Sequence, residues 1–280
     1  MITLDHAGVA HHDLAGLHAR YQALGFTLTP LAKQSGRLVG DGPVVPWGTA
    51  NRCAMLDEGY LELIGLHDSA LPANGIDRFL ARYDGLHILA LGMQDEDREL
   101  ARLRAAGVPI SGVLHLVRPV DSNEPDGLQA RFARLPLPDA PEGRIQLVRH
   151  LTPEAIWQPR FMAHANRATA LTAVILAVAD PAQAAARLSL LAGLPVLPDP
   201  AGGFQLPLAR GLVRVLPAAA LHAVLPGVVP PTLPFIAGMV VRTADGAAAV
   251  RALQPGLLPV PGNGWMAPPE LAGGAALVFT

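Results

Sequence analysis

This 280-residue chain carries almost nothing that marks it for sulfur chemistry, nucleic-acid binding or membrane insertion. Its single cysteine, Cys53, excludes an internal disulfide and agrees with a reducing compartment. Only 16% of residues are charged, and 21 basic against 23 acidic residues leave a net charge of −2. No basic stripe is present, and phosphate backbones need a concentrated positive face, so nucleic acid is not an expected partner. The most apolar stretch, Ala168 to Ala179, is too short to span a bilayer and reads as a strand. The opening residues, Met1-Ile2-Thr3-Leu4-Asp5-His6, show no basic segment followed by an apolar one. The expectation is a cytoplasmic protein with no membrane association.

What the chain does have is apolar surface to bury. Hydrophobic residues make up 51%, enough for a large core and against general disorder. The length suits one large domain or two of ordinary size. The 27 prolines and 28 glycines are spread along the chain, as expected of turns between many short elements.

A unit recurs four times. An apolar run precedes an Asp, a helical stretch follows, and a Gly closes it before further strand-like runs. The Asp and Gly pairs are Asp13 and Gly25, Asp95 and Gly107, Asp180 and Gly193, and Asp245 and Gly256. Asp is a good N-cap because its carboxylate accepts from free N–H groups of the first turn. Gly adopts the left-handed conformation that ends a helix. In the first helix Leu14, Leu17, Tyr21 and Leu24 recur at three- and four-residue spacing and make one apolar face. Strands are expected at Phe26–Leu31, Ala50–Leu56 and Tyr60–Leu66, then near Val108–Val113, at Ala130–Leu135 and at Arg144–His150. The later copies offer Val196–Leu197, Phe204–Leu208 and Leu212–Leu216, then Leu257–Val260, a stretch near Trp265, and Ala275–Phe279. Each unit therefore reads β-α-β-β-β. One such unit leaves open edges and an open face. Two side by side make a cleft, and four make two clefts.

The repeat resembles the vicinal oxygen chelate superfamily, and the local sequences carry the resemblance further than the topology does. Asp5-His6-Ala7-Gly8-Val9 looks like its first strand. Gly48-Thr49-Ala50-Asn51-Arg52 and Gly59-Tyr60-Leu61-Glu62-Leu63-Ile64 look like the third and fourth strands of its glyoxalase-like domain family. The likeness is good over residues 1–150 and topological over 169–280. It implies an α+β fold of four βαβββ modules paired into two half-barrel domains. These would cover residues 1–151 and 169–280, joined by a linker at 152–168.

In that superfamily metal ligands come from the first and last strands of paired units. Carried over here, these are His6, Glu62, His87 and Gln146, with Gln146 where the family usually has Glu. The residues themselves point the same way. His6 and His87 lie at similar distances before their capping Asp residues, and Glu62 and Gln146 each alternate with apolar neighbours. Buried in a cleft, four such groups need partners, and a shared divalent cation (Fe, Ni, Co, Mn or Zn) would satisfy them. The second half lacks the set, having Ala173, Arg214 and Ala237 at the matching places. Four-unit extradiol dioxygenases keep their ligands in that half.

The expected function is a metalloenzyme acting on a small molecule through two of its oxygens, of lyase, isomerase or dioxygenase type, with Glu62 as base. The alternative is a non-catalytic protein of the bleomycin-resistance type that sequesters an antibiotic or metabolite. A third reading is a degenerate structural relative. Asn51 and Arg52, together with His164 and Asn166 from the linker, are candidate substrate-binding residues. Cys53 reads as core, His11 and His12 as exposed, and Asp121–Gly127 as a turn-rich loop rather than a calcium site. A homodimer is compatible with all three readings.

Overall fold

The computed structural model describes residues 1–37, 42–124, 126–138 and 140–280. The first unit is β1 (Thr3–Ala10), α1 (Leu14–Ala23), β2 (Ala32–Arg37), β3 (Val44–Met55) and β4 (Tyr60–Leu66). A short helix, α2 (Ile76–Leu80), leads to β5 (Gly85–Gly92), α3 (Glu96–Ala105), β6 (Leu114–Pro119), β7 (Gln129–Pro136) and β8 (Arg144–His150). After α4 (Pro159–Met162) come β9 (Ala168–Val178), α5 (Pro181–Ala192), β10 (Leu197–Pro198), β11 (Phe204–Pro207) and β12 (Leu212–Pro217). The last unit is β13 (Phe235–Thr243), α6 (Ala248–Leu253), β14 (Leu258–Val260), β15 (Gly264–Ala267) and β16 (Ala276–Phe279). The strand, helix, three-strand order thus appears four times. No helix among the described residues is long and apolar enough to cross a membrane.

The caps form where carboxylates meet free helix N–H groups. Asp13, Asp95 and Asp180 accept from the N–H groups of Gly16, Arg98 and Gln183 at 2.8, 2.9 and 3.0 Å. Gly25, Gly107 and Gly193 take positive φ after their helices, at 86°, 77° and 66°. The fourth copy departs from the expectation. Ala247, with φ 67°, is the N-cap of α6, and Asp245 instead accepts from the Ala249 N–H at 3.0 Å.

Two strand expectations slide along the chain. Residues 27–31 and 108–113 are not strand, and the edge strands begin later, at Ala32 and Leu114. At sheet edges one neighbour alone supplies hydrogen bonds, so an apolar pattern is a weak guide to where pairing starts. In the loop at 121–127, Pro125 lies outside the described residues, while Asp121 O accepts from Glu124 N–H at 3.0 Å.

Within each unit the first and last strands pair in parallel, β1 with β4, β5 with β8, β9 with β12 and β13 with β16. Units join through their first strands, antiparallel, as β1 with β5 and β9 with β13. A Leu86–Ile236 pairing between β5 and β13 and a parallel bridge between Glu58 and Ala170 link the two halves. The main core lies on the helix-bearing face and includes Leu17, Tyr21, Leu103, Leu188 and Val250.

The two concave faces differ. In the second half, Leu221, Leu225, Val228 and Phe235 fill the space over Ile175, Ala177, Ala237 and Met266. Ala173 and Ala237 are buried, and Arg214 is engaged by both carboxylate oxygens of Asp199 at 2.6 and 2.7 Å. This cleft is closed by its own chain, which the lack of ligand residues did not by itself foretell. Truncating the plug should cost stability: Leu225→Ala is expected to destabilise by about 2–5 kcal/mol, read as a lower urea midpoint at unchanged slope.

Candidate active site

The open cleft lies over the first two units, about 820 Å³ in volume including its solvent-filled mouth, a size that suits a small molecule. Strand alternation decides which residues enter it. On β1 and β4 the inward residues include His6, Tyr60, Glu62 and Ile64; on β5 and β8 they include Ile88, Arg144, Gln146 and Val148. Gly8 makes the seam tight, since a Cβ there would meet Ile88 Cβ at 2.7 Å.

A buried hydrogen-bonded chain runs through the site. Asp5 Oδ1 accepts from His6 Nδ1 at 2.7 Å and from His150 Nε2 at 3.2 Å. Burial opposes ionisation of Asp5, yet the two imidazoles outweigh it and hold its carboxyl well below the usual range. An ionised Asp5 keeps the His6 proton on Nδ1 and turns the Nε2 lone pair toward the cleft. There Gln146 Nε2 approaches it at 3.4 Å and Glu62 Oε2 lies 3.9 Å away. Asn51 Nδ2 donates to Glu62 Oε1 at 2.5 Å, which orients the carboxylate. Tyr60 stacks on His6 with ring centroids 4.3 Å apart, and burial raises its phenol well above the ordinary value.

His6, Glu62, Gln146 and Asn51 therefore meet in the cleft. His87 does not. Gly8 pairs with Ile88 and Val9 with Leu86, so His87 is the extra residue of a β-bulge. Its ring stacks on Tyr83 and Phe79 with centroids 4.0 and 5.2 Å away, and its Nε2 donates to the Tyr83 carbonyl at 2.8 Å. Gly8 lies opposite Glu62 and Ala90 opposite Gln146, so the true counterpart of His6 is Ile88, two residues before Ala90. The spacings to the helix caps were similar but not equal, seven residues from His6 to Asp13 and eight from His87 to Asp95, and that one residue turns a strand side chain to the other face.

The remaining substrate-binding candidates also fall outside. Arg52 alternates with Asn51, does not line the cleft, and lies near enough to His18 to affect its charge. His164 accepts from the Thr27 N–H at 3.0 Å and donates to the Met55 carbonyl at 2.7 Å. Asn166 donates to the Leu24 carbonyl and accepts from the Ala168 N–H, at 2.8 and 3.1 Å. Both linker side chains are spent on backbone groups and pin the linker instead of reaching the cleft. Cys53 is buried, which pushes its thiol up to about 12 and leaves it unreactive.

Sequence reasoning missed four site residues. Arg144 shares parity with Gln146 and could have been found from that alone. Arg118 and Arg134 also line the cleft, Arg118 from the edge strand β6 and Arg134 from β7 between β6 and β8, and only the pairing of these strands turns the two arginines toward the cleft. His150 is the last residue of β8, and only the fold brings it to Asp5.

The glyoxalase-like domain family model matches residues 4–192. The chain belongs to that family. No curated protein matches the sequence. Among solved structures, a hypothetical protein from Staphylococcus aureus superposes with a TM-score of 0.70 at 11% identity, covering 100% of this chain and 99% of the other. The Mn(II)-bound glyoxalase from Novosphingobium aromaticivorans gives 0.53 at 12%, over 99% and 81%. A variant of 4-hydroxymandelate synthase from Streptomyces coelicolor gives 0.58 at 13%, over 99% and 91%. Identities this low speak for the fold alone, and the second of these shows that the fold can carry a divalent metal.

In this glyoxalase-like protein the residues do not fit a resident metal of that kind. With His87 in the bulge, the strong donors are His6 Nε2 and Glu62 Oε2, whereas catalytic metal sites ordinarily use three protein ligands. Gln146 cannot readily be the third, because its oxygen already accepts from Arg134 at 3.3 Å. Turning the amide round would set its NH₂ against that guanidinium. Among the described residues no group of three or more His, Cys, Asp or Glu side chains is arranged to hold a metal ion.

Two outcomes follow. After dialysis against Mn, Co, Ni or Zn the wild type should retain no stoichiometric metal by elemental analysis, while Ile88→His with Gln146→Glu should retain about one equivalent. A full equivalent in the wild type would refute the donor count. Separately, burial holds the His87 imidazole down to about 4, from an ordinary 6.5. Between these values the unfolded chain binds the proton and the folded one does not, so His87 lowers stability as pH falls from 6.5 toward 4. His18 and His164 are shifted in the same direction, chiefly by burial. His87→Phe should therefore flatten, without abolishing, the loss of urea stability between pH 7 and pH 5.

Proposed function

We propose that this protein is an enzyme that moves a proton on a small molecule held in the N-terminal cleft, with Glu62 as the base. The observation that carries this reading is the buried chain Asp5–His6 beside Glu62, with Asn51 holding the far carboxylate oxygen. Oriented acids and bases facing a bound substrate are what general acid–base catalysis needs. Glu62 takes a proton from a carbon or hydroxyl next to a carbonyl. The electron pair left behind forms an enolate, and the protonated Glu62 returns its proton to the neighbouring atom, with His6 held beside it by Asp5. The neutral amide of Gln146, directly across the seam, leaves one carboxylate to act and none to compete with it. The reaction class that this supports is isomerase or lyase chemistry, with no step assigned to a metal.

The second reading, a protein that sequesters its ligand, is favoured by the apolar share of the lining, which includes Ile64, Ile88, Leu116, Phe132 and Val148.

Solvent exchange separates the two. A panel of small 2-oxo acids, 2-hydroxy ketones and 2-oxo aldehydes would be incubated with the protein in D₂O and followed by NMR. Deuterium should enter the carbon next to a carbonyl of at least one compound. Glu62→Gln should slow this by about 10²–10⁴-fold while leaving binding within a few-fold. Compounds that bind without exchanging would instead establish the sequestering reading.

A further inference from the structure

The walls of the same cleft have a charge that the acid–base chemistry does not use. Three arginines, Arg118, Arg134 and Arg144, line it against the single carboxylate of Glu62. Both Glu62 oxygens face other groups, Asn51 on one side and His6 on the other. Arg134 donates only a long bond, 3.3 Å, to Gln146, and its buried Nε has no partner among the described residues. The Arg118 guanidinium lies over the Phe132 ring, 5.4 Å from its centroid, and no carboxylate among the described residues meets it. Burial works against the charge on Arg134 more than Glu62 supports it. Cations left in a half-buried cleft focus a positive potential there. An arginine fork matches a planar carboxylate in two parallel hydrogen bonds.

We infer that the natural ligand is a small organic acid, its carboxylate received by Arg134 with Arg118 beside it and its carbon skeleton lying on Ile88 and Phe132. This rests on the cleft being a small-molecule site, as proposed above, and adds which molecules it takes. It is the apolar floor that favours an organic acid over an inorganic anion, since phosphate would leave Ile88 and Phe132 uncovered. A bound carboxylate also places the adjoining carbon between the arginines and Glu62, so that one side of the cleft anchors and the other reacts.

Pyruvate, 2-oxoglutarate, benzoate and 4-hydroxybenzoate would be titrated by calorimetry beside their neutral amides and inorganic phosphate. At least one acid should bind at least tenfold more tightly than its amide and more tightly than phosphate, with affinity falling as salt rises. Arg134→Gln should weaken that acid about tenfold or more, and Arg134→Lys should recover part of the loss, which a misfolded variant could not do. Arg131→Gln, exposed on the same strand, serves as the control and should change nothing. Equal affinity for amides, tighter binding of phosphate, or an Arg134→Gln variant that binds as the wild type does would each overturn the assignment. The two proposals fail separately. Acid binding by the wild type, weakened in Arg134→Gln, without deuterium exchange into any compound removes the chemistry and keeps the specificity. Exchange on neutral ketones with no preference for acids does the reverse.

Discussion

Everything at the cleft depends on one antiparallel seam, the pairing of β1 with β5. It is the axis about which the first two units face each other, and its register decides which side chains of four strands point inward. His6 and Ile88 come from the seam strands themselves. Glu62 and Gln146 come from β4 and β8, each held parallel to a seam strand at Gly8 and Ala90. The bulge at His87 and a second irregularity at Asp5 interrupt the seam near its two ends. One sends an imidazole out of the cleft. The other brings a carboxylate behind His6, where it meets His150 as well. Bulges beside active sites commonly re-aim side chains in this way.

The pseudo-symmetry of the units makes the differences between them informative. A site with His and Glu from both units would be symmetric and cation-binding. Here one unit keeps His6 and Glu62, while the other presents Ile88 and Gln146, backed by Arg134 and Arg144. The charge has been redistributed: negative and basic groups stand on one side, positive groups on the other. That polarity suits a ligand with a reactive carbon at one end and an anion at the other better than it suits a bare cation. The second pair of units has gone further, replacing ligands with alanine and filling its concave face with Leu221, Leu225 and Val228. Both halves thus share a topology, and the first keeps its concave face open while the second fills its own.

How much of this was legible beforehand differs from residue to residue. Asp13, Asp95 and Asp180 were identifiable as caps because capping is a local contest between a side chain and the nearest N–H groups. Glu62 and Gln146 were identifiable because a polar residue alternating with apolar ones has its face set by the strand alone, and Asn51 through the family-like segment that carries it. Arg52 had its face set in the same way, by its neighbour Asn51. His164 and Asn166 could not be read, since the Met55 and Leu24 carbonyls that hold them lie more than a hundred residues away.

The sequence by itself determined the four-fold repeat, the first three helices and their caps, the absence of a ligand set in the second half and two residues of the candidate site, His6 and Glu62. These follow from short-range periodicity and capping, which operate within a few residues. The tertiary structure alone decided that His87 leaves the cleft, that Ile88 is the counterpart of His6 in the second unit, and that His150, Arg118 and Arg134 join the site. The physical reason is the register of the seam. A bulge adds one residue to one strand, a shift of one residue exchanges the two faces, and nothing in the local pattern of Leu86-His87-Ile88 records which residue the partner strand will skip.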